Sequence, residues 1–464
     1  MSLPLANKAV LVVGLGRSGV GAARLCLAHG ARVTVTDSRR GDQLEEALSR
    51  LGPGAALELG GHHAESFVGA DLIVLSPGVP ELPELARARQ AGVPVLGELE
   101  LAARFVEAPI VAVTGTNGKS TTTSLLGAMV EETGRPTFTG GNLGAPLTEA
   151  VGSAAAAPGG ALVVEVSSFQ LETVERFRAH VALLLNLSED HLDRYPDYRS
   201  YVAAKARVFE RQTSADFAVI NGEPEQTECR RLAGAGAAVT TEFRVDQPPP
   251  PGVGGAWCDG DQLLVRLPGA DDAEGLPRSL LQLAGRHNLQ NALAALLGAR
   301  LLGADLEACR RGLQRFRGLP HRMELVGETG DVRFYNDSKA TNVGSVVGSL
   351  TGFERRVVLI AGGKDKGGDY APLFPLLGDP VREVVLIGAA ADRIAGALGD
   401  RVPVHRAADL PAAVRLAADL ARAGEGVVLS PACSSFDMFQ NFEHRGQVFS
   451  EAVGELVGST GGKG

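Results

Sequence analysis

Ile110 to Thr123 reads I-V-A-V-T-G-T-N-G-K-S-T-T-T, and the fold follows from how these residues are read. The apolar, β-branched start (Ile110, Val111, Val113) marks a buried strand, Thr-Gly-Thr-Asn-Gly a tight loop, and Lys119 onward the first turn of a helix. Strand, glycine loop and helix in that order make a phosphate cradle. Glycines let backbone N–H groups approach an anion, the helix N-terminus adds partial positive charge, and a lysine there reaches the outer phosphates. Gly115, Thr116, Asn117, Gly118, Lys119, Ser120 and Thr121 are therefore the candidate nucleotide-binding residues, with a hydroxyl of Ser120 or Thr121 for Mg²⁺. Val113 stands where the first glycine of G-x-x-x-x-G-K-[ST] belongs, so the loop is the shorter G-T-N-G-K-S-T. The plain alternative is a strand-to-helix turn with an exposed lysine.

Around that stretch, 464 residues suggest about three domains. Hydrophobic content of 45% with 21% charged residues is globular rather than disordered. A net charge of -9 argues against a general nucleic-acid surface. No apolar run is of membrane-spanning length, and Met1 to Val10 lacks the layout of a secretory signal. The cysteines (Cys26, Cys229, Cys258, Cys309, Cys433) form no C-x-x-C pair, so neither zinc nor a disulfide framework is expected. A reducing cytoplasm is the simplest setting.

Upstream, Lys8 to Val13 reads as a strand, then Gly14-Leu15-Gly16-Arg17-Ser18-Gly19 and a helix, then a strand from Arg32 ending at Asp37. This G-x-G-x-x-G turn with an acid about twenty residues on reads by itself as a dinucleotide site, although the same turn seats any nucleotide diphosphate or serves helix packing. Strands at Leu72 to Leu75, before Ser76-Pro77-Gly78, and at Val95 to Leu96 complete a small doubly wound sheet. Downstream, Gly140-Gly141-Asn142 is a glycine loop with one amide, and Leu162 to Val166 is a strand carrying Glu165 in its middle. A carboxylate there needs a partner, either a metal ion or a neighbouring arginine. Val181 to Leu187 reads as a strand running into Ser188-Glu189-Asp190-His191, at the strand end where α/β sheets bind ligands.

A helix with Tyr198, Tyr201, Lys205 and Phe209 puts Lys205 on an aromatic stripe, where a lysine ordinarily reaches out to water. Pro248 to Pro251 reads as an exposed, stiff loop. Asn288 and Asn291, one helical turn apart, offer amides to a ligand edge, or Asn288 caps the helix. Gly318-Leu319-Pro320-His321-Arg322 reads as a hinge-like turn, and strands at Val357 to Ile360, Val384 to Ile387 and Val427 to Leu429 form another parallel set. Cys433 has no base placed beside it and is read as a small buried cysteine rather than a nucleophile. Domains are expected at 1–97, 98–318 and 319–464: a Rossmann-like N-terminal sheet, a central P-loop-type mononucleotide-binding ATPase domain and a C-terminal Rossmann-like α/β domain.

The ordered set G-T-N-G-K-S-T, E-V-S-S-F-Q-L-E, E-D-H-L-D-R-Y, R-H-N-L-Q-N-A, L-P-H-R, N-D-S-K-A-T-N and S-P-A-C-S-S-F-D spans the chain and closely resembles the Mur ligases of peptidoglycan assembly. N-D-S-K-A-T-N and the Rossmann-like first domain point within that family to a D-glutamate-adding member. The resemblance implies ATP with two Mg²⁺ ions, and UDP-N-acetylmuramoyl-L-alanine and D-glutamate as substrates. With the charge, the apolar runs and the cysteines read above, a cytoplasmic enzyme with neither nucleic-acid nor membrane partners is expected, and a monomer. By resemblance Lys119 offsets β/γ-phosphate charge, Ser120 and Glu165 hold the first Mg²⁺, His191 the second, and Lys205 is the lysine carried as a carbamate facing the metal site. Asn288 and Asn291 match adenine contacts; Arg322, Asp337 and Lys339 match residues closing over ribose and phosphates. Asn142 matches the contact near the reacting carboxylate. Thr341, Lys366, Ser435 and Phe442 match the D-glutamate contacts, with Lys364 a competitor of Lys366. The first domain would then hold UDP rather than NAD, through Gly14, Gly16, Arg17, Ser18 and Gly78, with Asp37 at the uracil end.

Overall fold

The computed structural model describes residues 3–191, 194–283, 285–351, 353, 355–365 and 367–460. Among these the strands gather into three sheets. In the first, β1 (Ala9–Val13), β2 (Arg32–Asp37), β3 (Ala56–Leu59), β4 (Leu72–Leu75) and β5 (Val95–Gly97) pair in parallel in the order β3-β2-β1-β4-β5. Strand order reverses at β1, which places the Gly14 to Gly19 turn at a switch point. Gly14 sits at φ +89, and a Cβ there would lie 2.7 Å from Val79.

The second sheet is organised around β6 (Ile110–Thr114), which is buried throughout. Its other strands are β7 (Thr137–Gly141), β8 (Ala161–Glu165), β9 (Val181–Leu184), β10 (Phe217–Asn221), β11 (Val239–Arg244), β12 (Gly255–Asp259), β13 (Gln262–Arg266) and β14 (Glu274–Pro277), in the order β14-β13-β12-β11-β10-β9-β6-β8-β7. The ladder is parallel from β7 to β12, and β12-β13-β14 is antiparallel. β6 lies between β8 and β9, so the winding reverses at its C-terminal end, where Gly115 to Gly118 follow. Three expectations shift here. Glu165 closes β8 instead of lying mid-strand, because its ladder partner Gly141 is the last residue of β7. The strand from Val181 stops at Leu184, opposite Thr114, since the glycine turn carries the ladder partner away. Within the proline loop, Pro249 is buried rather than exposed.

The third sheet comprises β15 (Glu324–Thr329), β16 (Val332–Asn336), β17 (Val357–Gly362), β18 (Val381–Ile387), β19 (Val404–Arg406) and β20 (Gly426–Leu429), ordered β15-β16-β20-β17-β18-β19 with only β15 antiparallel. Its two faces bury separate apolar clusters, one around Val357, Leu359 and Leu386, the other around Phe334, Ile360 and Phe449.

The chain falls into two compact units: Met1–Leu187, Tyr201–Leu280 and Ala292–Arg315 form one, and Ser188–Ser200, Leu281–Asn291 and Phe316–Gly464 the other. The first two sheets therefore share a unit, and two buried acids on the helix Glu98–Ala103 help to join them. Glu100 Oε2 accepts the N–H groups of Glu175, Arg176 and Phe177 at 2.8–3.0 Å, and Glu98 Oε1 accepts that of Thr148 at 2.7 Å. Burial pushes the Glu98 carboxyl up to about 7, against the hydrogen bonds from Thr148 that favour its charge. The folded chain thus keeps a proton that the unfolded chain has lost, and stability falls as pH rises from about 4.5 toward 7, by at most about 3 kcal/mol. Glu98→Gln keeps the acceptor for Thr148 and removes the titration. Its melting midpoint should match the parent near pH 5 and exceed it by about a few degrees at pH 8 in thermal unfolding.

Candidate active site

Gly115, at φ +148, turns the chain so closely past β9's exit that a Cβ there would lie 3.0 Å from Leu185 Cβ. Gly118, at φ +82, precedes the helix Lys119–Glu131, whose own bonding does not use the N–H groups of its first turn. That end of the loop, with the buried hydroxyls of Ser120 and Thr121, is the anion-seeking part. The expectation that all of Gly115 to Ser120 wraps phosphate is narrowed. The Thr116 N–H is bonded to Asn186 O at 3.0 Å and the Asn117 N–H to Asn186 Oδ1 at 2.8 Å, so donors for an anion begin at Gly118.

Two lysines meet at this loop. Lys119 Nζ donates to Gly115 O at 2.9 Å and Thr116 O at 2.8 Å. Lys205, on the helix Tyr198–Ala206, is only 2% exposed and donates from Nζ to the same Gly115 O at 2.8 Å. Its ammonium lies 4.7 Å from the Tyr201 ring centre, while the Tyr201 hydroxyl meets Thr116 Oγ1 at 3.1 Å. Lys205 is therefore not a stem reaching for water. Two ammonium groups on one buried carbonyl repel each other unless an anion adjoins them or one amine changes its charge.

Glu165 is 3% exposed, and its Oε1 accepts from Asn142 Nδ2 at 2.7 Å. The Asn142 N–H reaches Glu165 O at 2.9 Å, and Gly141, at φ +100, permits the approach, since a Cβ there would fall 2.4 Å from Glu165 O. A carboxylate and the Ser120 hydroxyl are hard oxygen donors that fit Mg²⁺. Among the described residues no group of three or more His, Cys, Asp or Glu side chains comes together.

In the first sheet Gly16 stands before the helix that Arg17 and Ser18 begin, and Ser76 Oγ, two residues before Gly78, donates to Gly14 O at 2.9 Å. Asp37 does not hold its carboxylate open to a ligand. Burial opposes its charge, yet Arg39 and the Leu15 N–H, bonded to Oδ2 at 2.7 Å each, hold it down to about 2. The acid secures the turn itself, and half-exposed Arg39 is what it presents outward.

In the second unit, His191 and Thr341 line one cavity of about 500 Å³, together with Asp190, Asn342, Asp365 and Tyr370. His191 has φ +57, its Nε2 is 3.7 Å from Asp190 Oδ2, and Asn342 Nδ2 donates to that oxygen at 3.2 Å. Asn288 and Arg322 line another cavity, of about 650 Å³. Gly285, not Asn288, precedes the helix Arg286–Leu301, so the capping alternative does not hold; Asn291 Nδ2 lies 3.4 Å from Asn288 Oδ1.

Burial raises the Asp337 carboxyl to about 6, although Ser430 Oγ donates to it at 2.7 Å. Lys339 Nζ stands 3.5 Å from the ring centre of Phe442, and Ser435 is buried. Lys366 lies outside the described residues, while Lys364 is bonded through its backbone to Ser434. The buried Cys433 thiol is pushed up to about 11 by burial and stays protonated, as a structural cysteine does.

Two residues that position the site escape a reading of the sequence. Asn186 is one; a lone amide after an apolar run carries the same clue that singled out Glu165. The other is Arg445, fully buried, which donates to Ser338 Oγ at 3.0 Å, Ser338 O at 2.8 Å and Cys433 O at 3.1 Å, and so ties the Asp337 to Lys339 turn to the Cys433 to Ser435 loop. Nothing in H-R-G announces it.

A phosphate loop at the switch point of a mostly parallel sheet, with a buried carboxylate closing the next strand, defines a nucleoside-triphosphate-using α/β enzyme. Family profiles for the Mur ligase MurD-like N-terminal domain, the Mur ligase middle domain and the Mur ligase glutamate ligase domain match residues 8–97, 113–299 and 321–433. Relatives named UDP-N-acetylmuramoylalanine–D-glutamate ligase include one from Trichlorobacter lovleyi, 47% identical over 98% of this chain and 100% of its own. Another, from Anaeromyxobacter dehalogenans, is 50% identical over 96% and 97%. Among solved structures, a pseudomurein peptide ligase type C from Methanothermus fervidus shares the fold at TM-score 0.61 and 20% identity, covering 97% of this chain and 100% of that one. MurF from Acinetobacter baumannii does so at 0.59 and 17%, covering 98% and 93%. The chain belongs to the Mur ligase family, as an ATP-dependent, amide-bond-forming ligase of three-domain α/β architecture.

Proposed function

We propose that this chain joins D-glutamate to UDP-N-acetylmuramoyl-L-alanine in peptidoglycan precursor synthesis, as a cytoplasmic monomer, through an acyl phosphate. The observation that carries this reading is its end-to-end similarity to ligases of that name. An amide does not form from a carboxylate and an amine in water without activation. A terminal oxygen of the L-alanine carboxylate attacks the γ-phosphorus of ATP and ADP leaves. The D-glutamate amine, having lost a proton, attacks the acyl carbon and phosphate leaves.

Phosphoryl transfer asks the protein for placement and for neutralised charge. Gly118 to Thr121 receive the phosphates, Lys119 offsets β/γ charge, and Asn142, held by Glu165, faces the reacting carboxylate. Mg²⁺, when bound, would supply further charge neutralisation: Ser120 and Glu165 would hold one ion, His191 would be the protein ligand of a second, and Lys205 would be carried as a carbamate. The crowding of Lys119 and Lys205 on Gly115 O supports the carbamate, which makes one of two adjacent cations an anion. Asn288 and Asn291 take adenine, and Arg322, Asp337 and Lys339 the ribose and phosphates. Thr341, Lys366, Ser435 and Phe442 receive D-glutamate. Gly14, Gly16, Arg17, Ser18 and Gly78 seat the UDP end, with Asp37 bracing that turn. The domains are proposed to divide this work at 1–97, 98–318 and 319–464.

The test is product mass. Offered the UDP-linked acceptor, ATP and a panel of D- and L-amino acids, the enzyme should add the mass of one glutamate residue with D-glutamate alone. Product formed equally with another amino acid overturns the assignment.

A further inference from the structure

We infer that Asn186 is a positioning residue for the triphosphate, which pins the first half of the phosphate loop and so fixes where its second half meets phosphate. The inference rests on the proposal that this loop holds ATP. Gly115 and Gly118 both have positive φ, and glycine makes such a loop flexible unless something else holds it. One amide side chain does so. Asn186 Oδ1 accepts the Asn117 N–H at 2.8 Å, and its Nδ2 donates to the Asn117 carbonyl at 3.1 Å, so both backbone polar groups of Asn117 are matched at once. The Asn186 backbone carbonyl takes the Thr116 N–H at 3.0 Å. Asparagine alone combines one acceptor and one donor at this reach; aspartate has no donor, glutamine is longer, and alanine has neither. At the other end, Gly118 O is taken by the Thr122 N–H at 2.9 Å and belongs to the helix. The loop is thereby ordered before ligand arrives, which spares the ordering cost on binding.

Since Asn186 leaves β9 five residues before His191, the same peptide that holds the loop also starts the segment leading to that histidine. The Thr116 bond uses backbone atoms and survives any substitution at 186, so the anchor is weakened rather than abolished.

Steady-state KM values for ATP, acceptor and D-glutamate, with melting temperatures with and without ATP, test the idea in the wild type, Asn186→Ala and Asn186→Asp. Asn186→Ala should raise the ATP KM about tenfold or more and shrink the ATP-induced rise in melting temperature, with the other two KM values within about twofold. Asn186→Asp should be worse than Asn186→Ala, since its carboxylate cannot donate to Asn117 and opposes the phosphates. An ATP KM within about twofold of wild type in Asn186→Ala, or an equal rise in all three KM values, overturns the inference. A wild-type melting temperature that ignores ATP overturns instead the nucleotide reading beneath it.

Discussion

Lys205→Ala is expected to lower the ligation rate by about 10³-fold, and added bicarbonate or short carboxylates are expected to return part of it. Lys205 is buried, its Nζ is bonded to Gly115 O at 2.8 Å, and the same oxygen accepts Lys119. Burying an ammonium beside another cation is unfavourable unless an anion adjoins the pair or one amine changes its charge. In the proposed carbamate, carbon dioxide added to the neutral amine would turn the residue into an anion next to Lys119, and the carbamate N–H would still serve Gly115 O. Removal to alanine leaves a pocket beside Tyr201 that a small carboxylate can enter. Lys205→Met, which keeps the stem against the ring, separates packing from charge: it should be as inactive as alanine but less readily rescued, because the pocket is filled. Full activity in Lys205→Met removes the amine from the mechanism.

Lys119→Met should cost about 10³-fold in kcat/KM for ATP in steady-state kinetics, and Lys119→Arg should not restore it. The ammonium is a compact point charge that donates to Gly115 O at 2.9 Å and Thr116 O at 2.8 Å, a pairing that a planar guanidinium fork does not reproduce. The loss has two sources, β/γ charge left unopposed and a loop deprived of two internal bonds. The acceptor's own affinity should change little, which distinguishes this lesion from general unfolding. Wild-type kcat/KM for ATP in Lys119→Met would place the triphosphate elsewhere.

Much of this was legible in the amino-acid order because β-branched runs announce buried parallel strands and glycines mark the turns between them. The switch-point loop, the acid on β8 and the amide of Asn142 all come from such text, as does the likeness to the Mur ligases. What escaped depends on which strands adjoin. Asn186 is 69 residues from its partner Asn117, and the two meet only because β9 lies against β6. The same limit hid Glu98 and Glu100, whose partners lie about fifty and more than seventy residues on and which help to make one unit of the first two sheets. For Asp37 the glycine fingerprint suggests an acid turned to a ligand, but Arg39 two residues later captures it, a local pairing that the motif does not encode. Arg445 sits in a helix whose packing brings it under two loops, and no periodicity reports a buried guanidinium satisfied by carbonyls and a hydroxyl.

The acyl phosphate is the step on which the roles proposed for Lys119, Asn142 and Lys205 all depend, and oxygen transfer reports it directly. With the L-alanine carboxylate of the acceptor labelled with heavy oxygen, each turnover should deliver one labelled atom to inorganic phosphate, read by mass spectrometry. Phosphate released without label, at full product yield, would contradict the account.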